Sequence, residues 1–131
     1  MARKSGTETN DTLEESLEDE EMDETEEGEE QSLFALLAEC AGTCESTFYN
    51  HCMGNPEMKH CGQLCVDCAD ICTTTAKYSA RDSEQLPATA ALCSDVCDEC
   101  AEECERFEDE AMIMCAEVCR DCAEACREVA E

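Results

Sequence analysis

At 131 residues the chain is at most one domain plus a tail. Its formal net charge of −27 excludes a surface that neutralises nucleic-acid phosphates, which requires Lys and Arg. Fifteen cysteines in that length leave two readings, a disulfide framework in a secreted protein or a metal site in a reducing compartment.

Taken in chain order, Met1-Ala2-Arg3-Lys4 runs into acidic sequence with no apolar signal core, and no stretch is long enough to cross a membrane. The expectation is a cytoplasmic protein with free thiols or metal thiolates. Residues 1–31 carry 14 Asp/Glu against two basic residues and almost no apolar side chains. Such a composition buries too little surface to order itself, so 1–31 is read as a disordered acidic tail. The acidic excess suits solubility in concentrated salt and points to a halophilic source.

Residues 32–131 read as one all-α domain. Ser32 has the character of an N-cap before Leu33-Phe34-Ala35-Leu36-Leu37, and helix 1 is expected over 33–52, ending at Gly54-Asn55-Pro56. Helix 2 is expected over 57–79 and helix 3 over 84–106, with Pro87 tolerated in its first turn. Helix 4 follows over 110–130. Short loops force neighbours to run antiparallel, so the fold class is an up-down-up-down four-helix bundle.

Three of these helices carry the same cysteine spacing. It reads Cys61-x3-Cys65-x2-Cys68-x3-Cys72, then Cys93-x3-Cys97-x2-Cys100-x3-Cys104, then Cys115-x3-Cys119-x2-Cys122-x3-Cys126. At about 100° per residue, steps of four, three and four keep four thiols within an arc of about 60°. Each helix thus presents one sulfur-lined face, and the bundle has a Cys-lined core. Helix 1 departs from the rule: the same spacing from Cys40 gives Cys40, Cys44, Thr47 and His51, with Cys52 slightly off the face.

The spacing has a chemical consequence. Residues i and i+4 on a helix place their Cβ atoms about 5–6 Å apart. Two sulfurs on opposite sides of one ion sit roughly 4.5 Å apart, at about 2.3 Å per bond. A Cys-x3-Cys pair therefore suits two-coordinate Cu(I), a soft ion selected by thiolates and thioethers. A disulfide needs Cβ atoms about 3.8 Å apart, which neighbours on one helix do not reach without distortion. Zinc knuckles use Cys-x2-Cys on turns, and these pairs lie in helical pattern without Gly or Pro. Iron–sulfur ferredoxin spacing also differs, and no Pro follows. Leu or Ile would pack a bundle core better, so three identical cysteine stripes are not ordinary core.

The two ends of such a tube differ. One gathers His51, Cys52, Met53, Met58, His60, Met112 and Met114, whose imidazoles and thioethers are exchangeable Cu(I) ligands. The other gathers Leu33, Leu36, Leu37, Ala76, Leu86, Ala90 and Val129, a dry plug. Metal is expected to pass through the first end. The expected ligands are all fifteen cysteines (Cys40, Cys44, Cys52 and the twelve of the three repeats) with His51, His60, Met112 and Met114.

The three repeats, across about residues 33–130, resemble the bacterial and archaeal copper storage proteins. That resemblance implies four-helix bundles storing many Cu(I) ions in a Cys-lined core, with a His/Met-bearing mouth. It implies the cytosolic branch, since the exported branch carries a twin-arginine leader. It also implies a homo-oligomer, commonly a tetramer, and leaves room for a copper chaperone as partner. Two features depart from the pattern: helix 1 has three cysteines, and Met112 and Met114 stand where cytosolic relatives often have histidines. The expected function is non-enzymatic Cu(I) storage and detoxification, with ten to fifteen ions per chain in order of magnitude. The alternatives are a buffer for zinc or another thiophilic metal and an iron–sulfur electron-transfer protein. No Ser/His/Asp set, phosphate loop or carboxylate pair marks an active site. No nucleic-acid or membrane partner is expected.

Overall fold

A computed structural model of the protein describes residues 32–130. The expected acidic tail, 1–31, lies outside the described residues. Four helices follow: α1 (Leu33–Thr47), α2 (Lys59–Ala80), α3 (Leu86–Cys104) and α4 (Glu110–Ala130). Each packs on its neighbours in sequence, and α1 closes the ring against α4. This is the antiparallel four-helix bundle that the short loops require.

The helix ends follow from local chemistry. Ser32 Oγ accepts the Ala35 N–H at 3.1 Å, capping an α1 amide that would otherwise lack a partner. α2 ends in a left-handed Asp82 (φ 51°), with Ser83 N–H donating to Tyr78 O at 3.0 Å and Asp82 N–H to Ser79 O at 3.2 Å. That pair of bonds satisfies the last carbonyls, and Asp is one of the few side chains that tolerates the conformation. Pro87 sits in the first turn of α3, where its missing N–H costs nothing.

α1 does not stop at Thr47. It continues as a π turn over Phe48–Cys52, closed by Met53 N–H to Phe48 O at 2.8 Å. Gly54, at φ 81°, then reverses the chain into a 3-10 turn, Pro56–Met58, capped by Asn55 Oδ1 accepting from Glu57 N–H at 3.1 Å. A π turn holds one more residue than an α turn. Everything beyond Thr47 is therefore displaced by one position relative to a regular helix.

Small residues set how closely the helices approach. In each repeat the first and third cysteines are followed by one: Gly62 and Ala69, Ser94 and Ala101, Ala116 and Ala123, all buried. At Gly62 an added Cβ would lie 3.0 Å from Cys52 Cβ and 3.1 Å from Phe48 Cδ1. The π turn of α1 thus seats its aromatic ring on the bare backbone of α2. At the opposite end Leu37, Ala76 and Ala90 are buried, and Leu33 and Val129 pack against them, so the expected plug is apolar. No described helix is long and apolar enough to cross a membrane.

Candidate metal centre

All fifteen cysteines are reduced and buried. Fourteen have no exposed surface, and Cys52 retains 3%. The only buried polar side chains among the described residues are Thr47, Thr75 and Ser94, and no carboxylate or cation is buried with them. A cavity lined by sulfur without oxygen ligands selects soft metals.

The sulfurs form one connected ladder. Cys61 Sγ lies 3.5 Å from Cys104, and Cys65 lies 3.7 Å from Cys100. Cys44 contacts Cys119 at 3.5 Å and Cys115 at 3.9 Å. Cys40 reaches Cys68 at 3.8 Å, and Cys68 reaches Cys97 at 3.5 Å. Cys72 contacts Cys93 and Cys97, both at 3.7 Å, and Cys122 at 3.9 Å.

Four-thiol groups, each with its sulfurs within 4.8 Å of one another, follow in sequence along the axis. From the His/Met end they are Cys65/Cys100/Cys104/Cys115, then Cys44/Cys100/Cys115/Cys119, then Cys40/Cys44/Cys68/Cys119. Next come Cys40/Cys68/Cys72/Cys97 and Cys72/Cys93/Cys97/Cys122. Each group shares two sulfurs with the next. Ions bound in successive groups would therefore be bridged by common thiolates, which is the geometry of a cluster rather than of isolated sites.

The i,i+4 pairs Cys68–Cys72 and Cys93–Cys97 are both 3.9 Å apart. Linear coordination at about 2.3 Å per bond needs a separation of roughly 4.5 Å, so these pairs open by about half an ångström to hold Cu(I) digonally.

Proton sharing along the ladder is uneven. Hydrogen bonds from Cys104 and Cys65 hold Cys61 down at about 4. Burial, then Coulombic repulsion from Cys61, pushes Cys52 up to about 12. Cys126, hydrogen-bonded to Cys122 and Cys93 and desolvated, is also raised. Low dielectric favours neutral thiols, so uptake of a cation displaces protons.

The expected stripe on helix 1 is corrected at its end. The π turn carries Cys52 inward and His51 outward, so the core face reads Cys40, Cys44, Thr47, Cys52. His51 is exposed and lines a surface recess with Gly42, Thr43, Ser46, Thr47, Ala111 and Met114. Met114 is 56% exposed. His60 is exposed in a second recess, beside Leu64, Glu99, Glu102, Glu103 and Arg106. No thiol lines either recess. Met112 is fully buried in the core cluster. The structure thus brings the fifteen thiols together and places His51, His60 and Met114 outside them.

Comparisons with known proteins agree with this geometry. Residues 25–131 match the family model described as copper storage protein. The apo form of copper storage protein 3 from Bacillus subtilis superposes with a TM-score of 0.71 at 30% identity, over 76% of this chain and 96% of that one. The Cu(I)-bound copper storage protein BsCsp3 gives the same TM-score and identity, over 76% of this chain and 95% of that one. No curated protein sequence matches the chain.

Proposed function

Since this chain belongs to the copper storage protein family, we propose that it is a cytosolic Cu(I) store that limits free copper and holds it for later use. The observation that carries the reading is the ladder of four-thiol groups with shared sulfurs. The likeness to a Cu(I)-bound copper storage protein supports copper as the cargo. Nothing in the thiol core resembles a catalytic set, and the proposed role is binding without turnover.

Charge sets the capacity. Buried uncompensated charge is costly, so a filled core tends towards neutrality. Fifteen buried thiolates are balanced by about one Cu(I) each, or by about half as many Zn(II). We therefore propose a cargo approaching fifteen Cu(I) per chain, held as digonal pairs linked through bridging sulfurs. Entry is through the end where α1 meets α2 and α3 meets α4. The homo-oligomer implied by the family, and delivery by a copper chaperone, belong to the same proposal. So does a halophilic source for the acidic surface.

A zinc buffer is the second reading, favoured by one observation. Sulfurs around a tetrahedral ion with bonds of about 2.3 Å lie about 3.8 Å apart, within the spread of the ladder. The deciding experiment is an anaerobic titration of reduced protein with Cu(I) against a chromogenic Cu(I) chelator, with metal counted by atomic absorption. Ten or more Cu(I) per chain, held against the chelator and not displaced by excess Zn(II), is the expected result. Saturation at one to four ions, or displacement by zinc, overturns the storage reading.

A further inference from the structure

A cavity of about 380 Å³ opens to solvent between the π turn of α1 and the start of α2. It is lined by Phe48, Cys52, Met53, Met58, Lys59 and Gly62 among others. Three of these residues carry sulfur. Met53 is 53% exposed at its rim, and Met58 is buried in its wall. Cys52 is almost wholly buried beside Cys61, yet it is the one thiol with any exposed surface. The other two recesses at this end contain no thiol.

We infer that Cys52, Met53 and Met58 form the acquisition site of the store, a three-sulfur cavity that takes Cu(I) from a small thiolate carrier and passes it to Cys61. This inference rests on the storage reading and adds the route to it. Two thioethers and one thiol make a soft donor set weaker than the thiolate ladder behind it. Copper arriving there moves inward because each later site offers more thiolates.

Position supports the hand-over. Gly62 lets Cys52 seat directly on the α2 backbone, since an added Cβ there would lie 3.0 Å from Cys52 Cβ. Cys61 immediately precedes Gly62, and its sulfur meets Cys104 at 3.5 Å, the first rung of the ladder. Lys59 is the only cationic residue lining the cavity. On a chain of net charge −27 it is a local exception, and it favours a carrier in which two thiolates make the copper complex anionic.

The transfer is an exchange of ligands without a change of oxidation state. One Cu–S bond to the carrier breaks as the Cu–S bond to Cys52 forms, and the Cys52 proton ends on that departing thiolate. The second carrier bond breaks as a Met thioether replaces it, and that thiolate leaves as the anion. Cys61 then repeats the exchange. The Cu–S bond to Cys52 breaks as the bond to Cys61 forms, and Cys52 is reprotonated from the solvent that reaches its cavity, restoring a thiol for the next ion.

Loading of the reduced full-length protein from Cu(I)–glutathione, followed anaerobically by stopped-flow absorbance of the thiolate–copper bands, tests this. Cys52→Ser is expected to slow loading about tenfold, while the final copper count falls by only about one ion per chain. The double variant Met53→Leu, Met58→Leu keeps every thiol. It is expected to load several-fold more slowly, in the same direction as loss of a metal ligand, and to reach the wild-type count. A triple variant His51→Ala, His60→Ala, Met114→Leu is expected to load within about twofold of wild type. Wild-type rates in both Cys52→Ser and the double Met variant overturn the inference, as does a triple variant as slow as Cys52→Ser. If Cys52→Ser loses its helical circular dichroism, the double variant alone decides. A wild-type chain that takes up few ions overturns the storage reading instead, so the two failures are distinct.

Discussion

Gly62 and Gly42 are both helical glycines, and their surroundings give them opposite predicted effects. A helical Gly costs roughly 0.5–1 kcal/mol relative to Ala through backbone entropy. At Gly42 an added Cβ meets nothing within 4 Å, so Gly42→Ala is expected to stabilise the apo protein by about that amount. At Gly62 the same methyl meets Cys52 Cβ at 3.0 Å and the Phe48 ring at 3.1 Å, two atoms close to the backbone of the π turn. Overpacking of this kind costs about 1–3 kcal/mol, enough to outweigh the entropic gain. Thermal unfolding of the two variants in reducing buffer is expected to show Gly42→Ala above and Gly62→Ala below wild type. A stabilised Gly62→Ala would mean that the turn is not seated on α2. Neither sign is legible from the sequence alone, because composition and periodicity cannot say which helix lies against a glycine.

The helices and the three cysteine stripes were legible because a 4-3-4 spacing is a local property, read from one segment without its neighbours. The end of α1 was not. Extending the same spacing from Cys40 places His51 on the core face, but the π turn adds one residue and seats Cys52 there instead. Its cause is tertiary: Phe48 packs onto Gly62, and no Pro or Gly inside Phe48–Cys52 marks the irregularity. With that correction each of the four helices contributes four core positions, and Thr47 is the one not occupied by sulfur. The odd cysteine count is thereby accounted for. Thr47 is buried, and the neighbouring four-thiol group Cys65/Cys100/Cys104/Cys115 draws nothing from α1. Thr47→Cys is therefore expected to add about one Cu(I) to the titrated capacity, with stability changed by less than about 1.5 kcal/mol because the volumes are similar. Thr47→Ser is the control and is expected to add none. An unchanged count in Thr47→Cys, with sixteen thiols titrated in the denatured protein, would show that this position does not face the cluster.

Charge acts on the molecule as a whole. Arg120 bridges Asp98 at 3.2 Å and Glu105 at 3.0 Å, and Arg127 meets Asp98 at 2.8 Å, joining α3 to α4. These groups are 35–53% exposed, so each pair is worth about 0–1 kcal/mol and weakens in salt. Against them stand 35 acidic residues and only 8 basic ones, whose mutual repulsion opposes the compact state. Raising salt from 0.1 M to 1 M shortens the screening length from about 10 Å to about 3 Å, which relieves the many repulsions more than it costs the few attractions. The Tm of the apo protein is therefore expected to rise with KCl, and a falling Tm would show that the α3–α4 ion pairs dominate. Copper loading refines the test. Copper bound to the folded core but not to the unfolded chain raises Tm by linkage. Each Cu(I) that replaces one thiol proton leaves the charge of the core unchanged, so the loaded and apo proteins are expected to gain Tm in parallel across the salt series. A shallower salt response in the loaded protein would mean that the cargo carries net positive charge into the bundle. That outcome would show more Cu(I) bound in the core than thiol protons released.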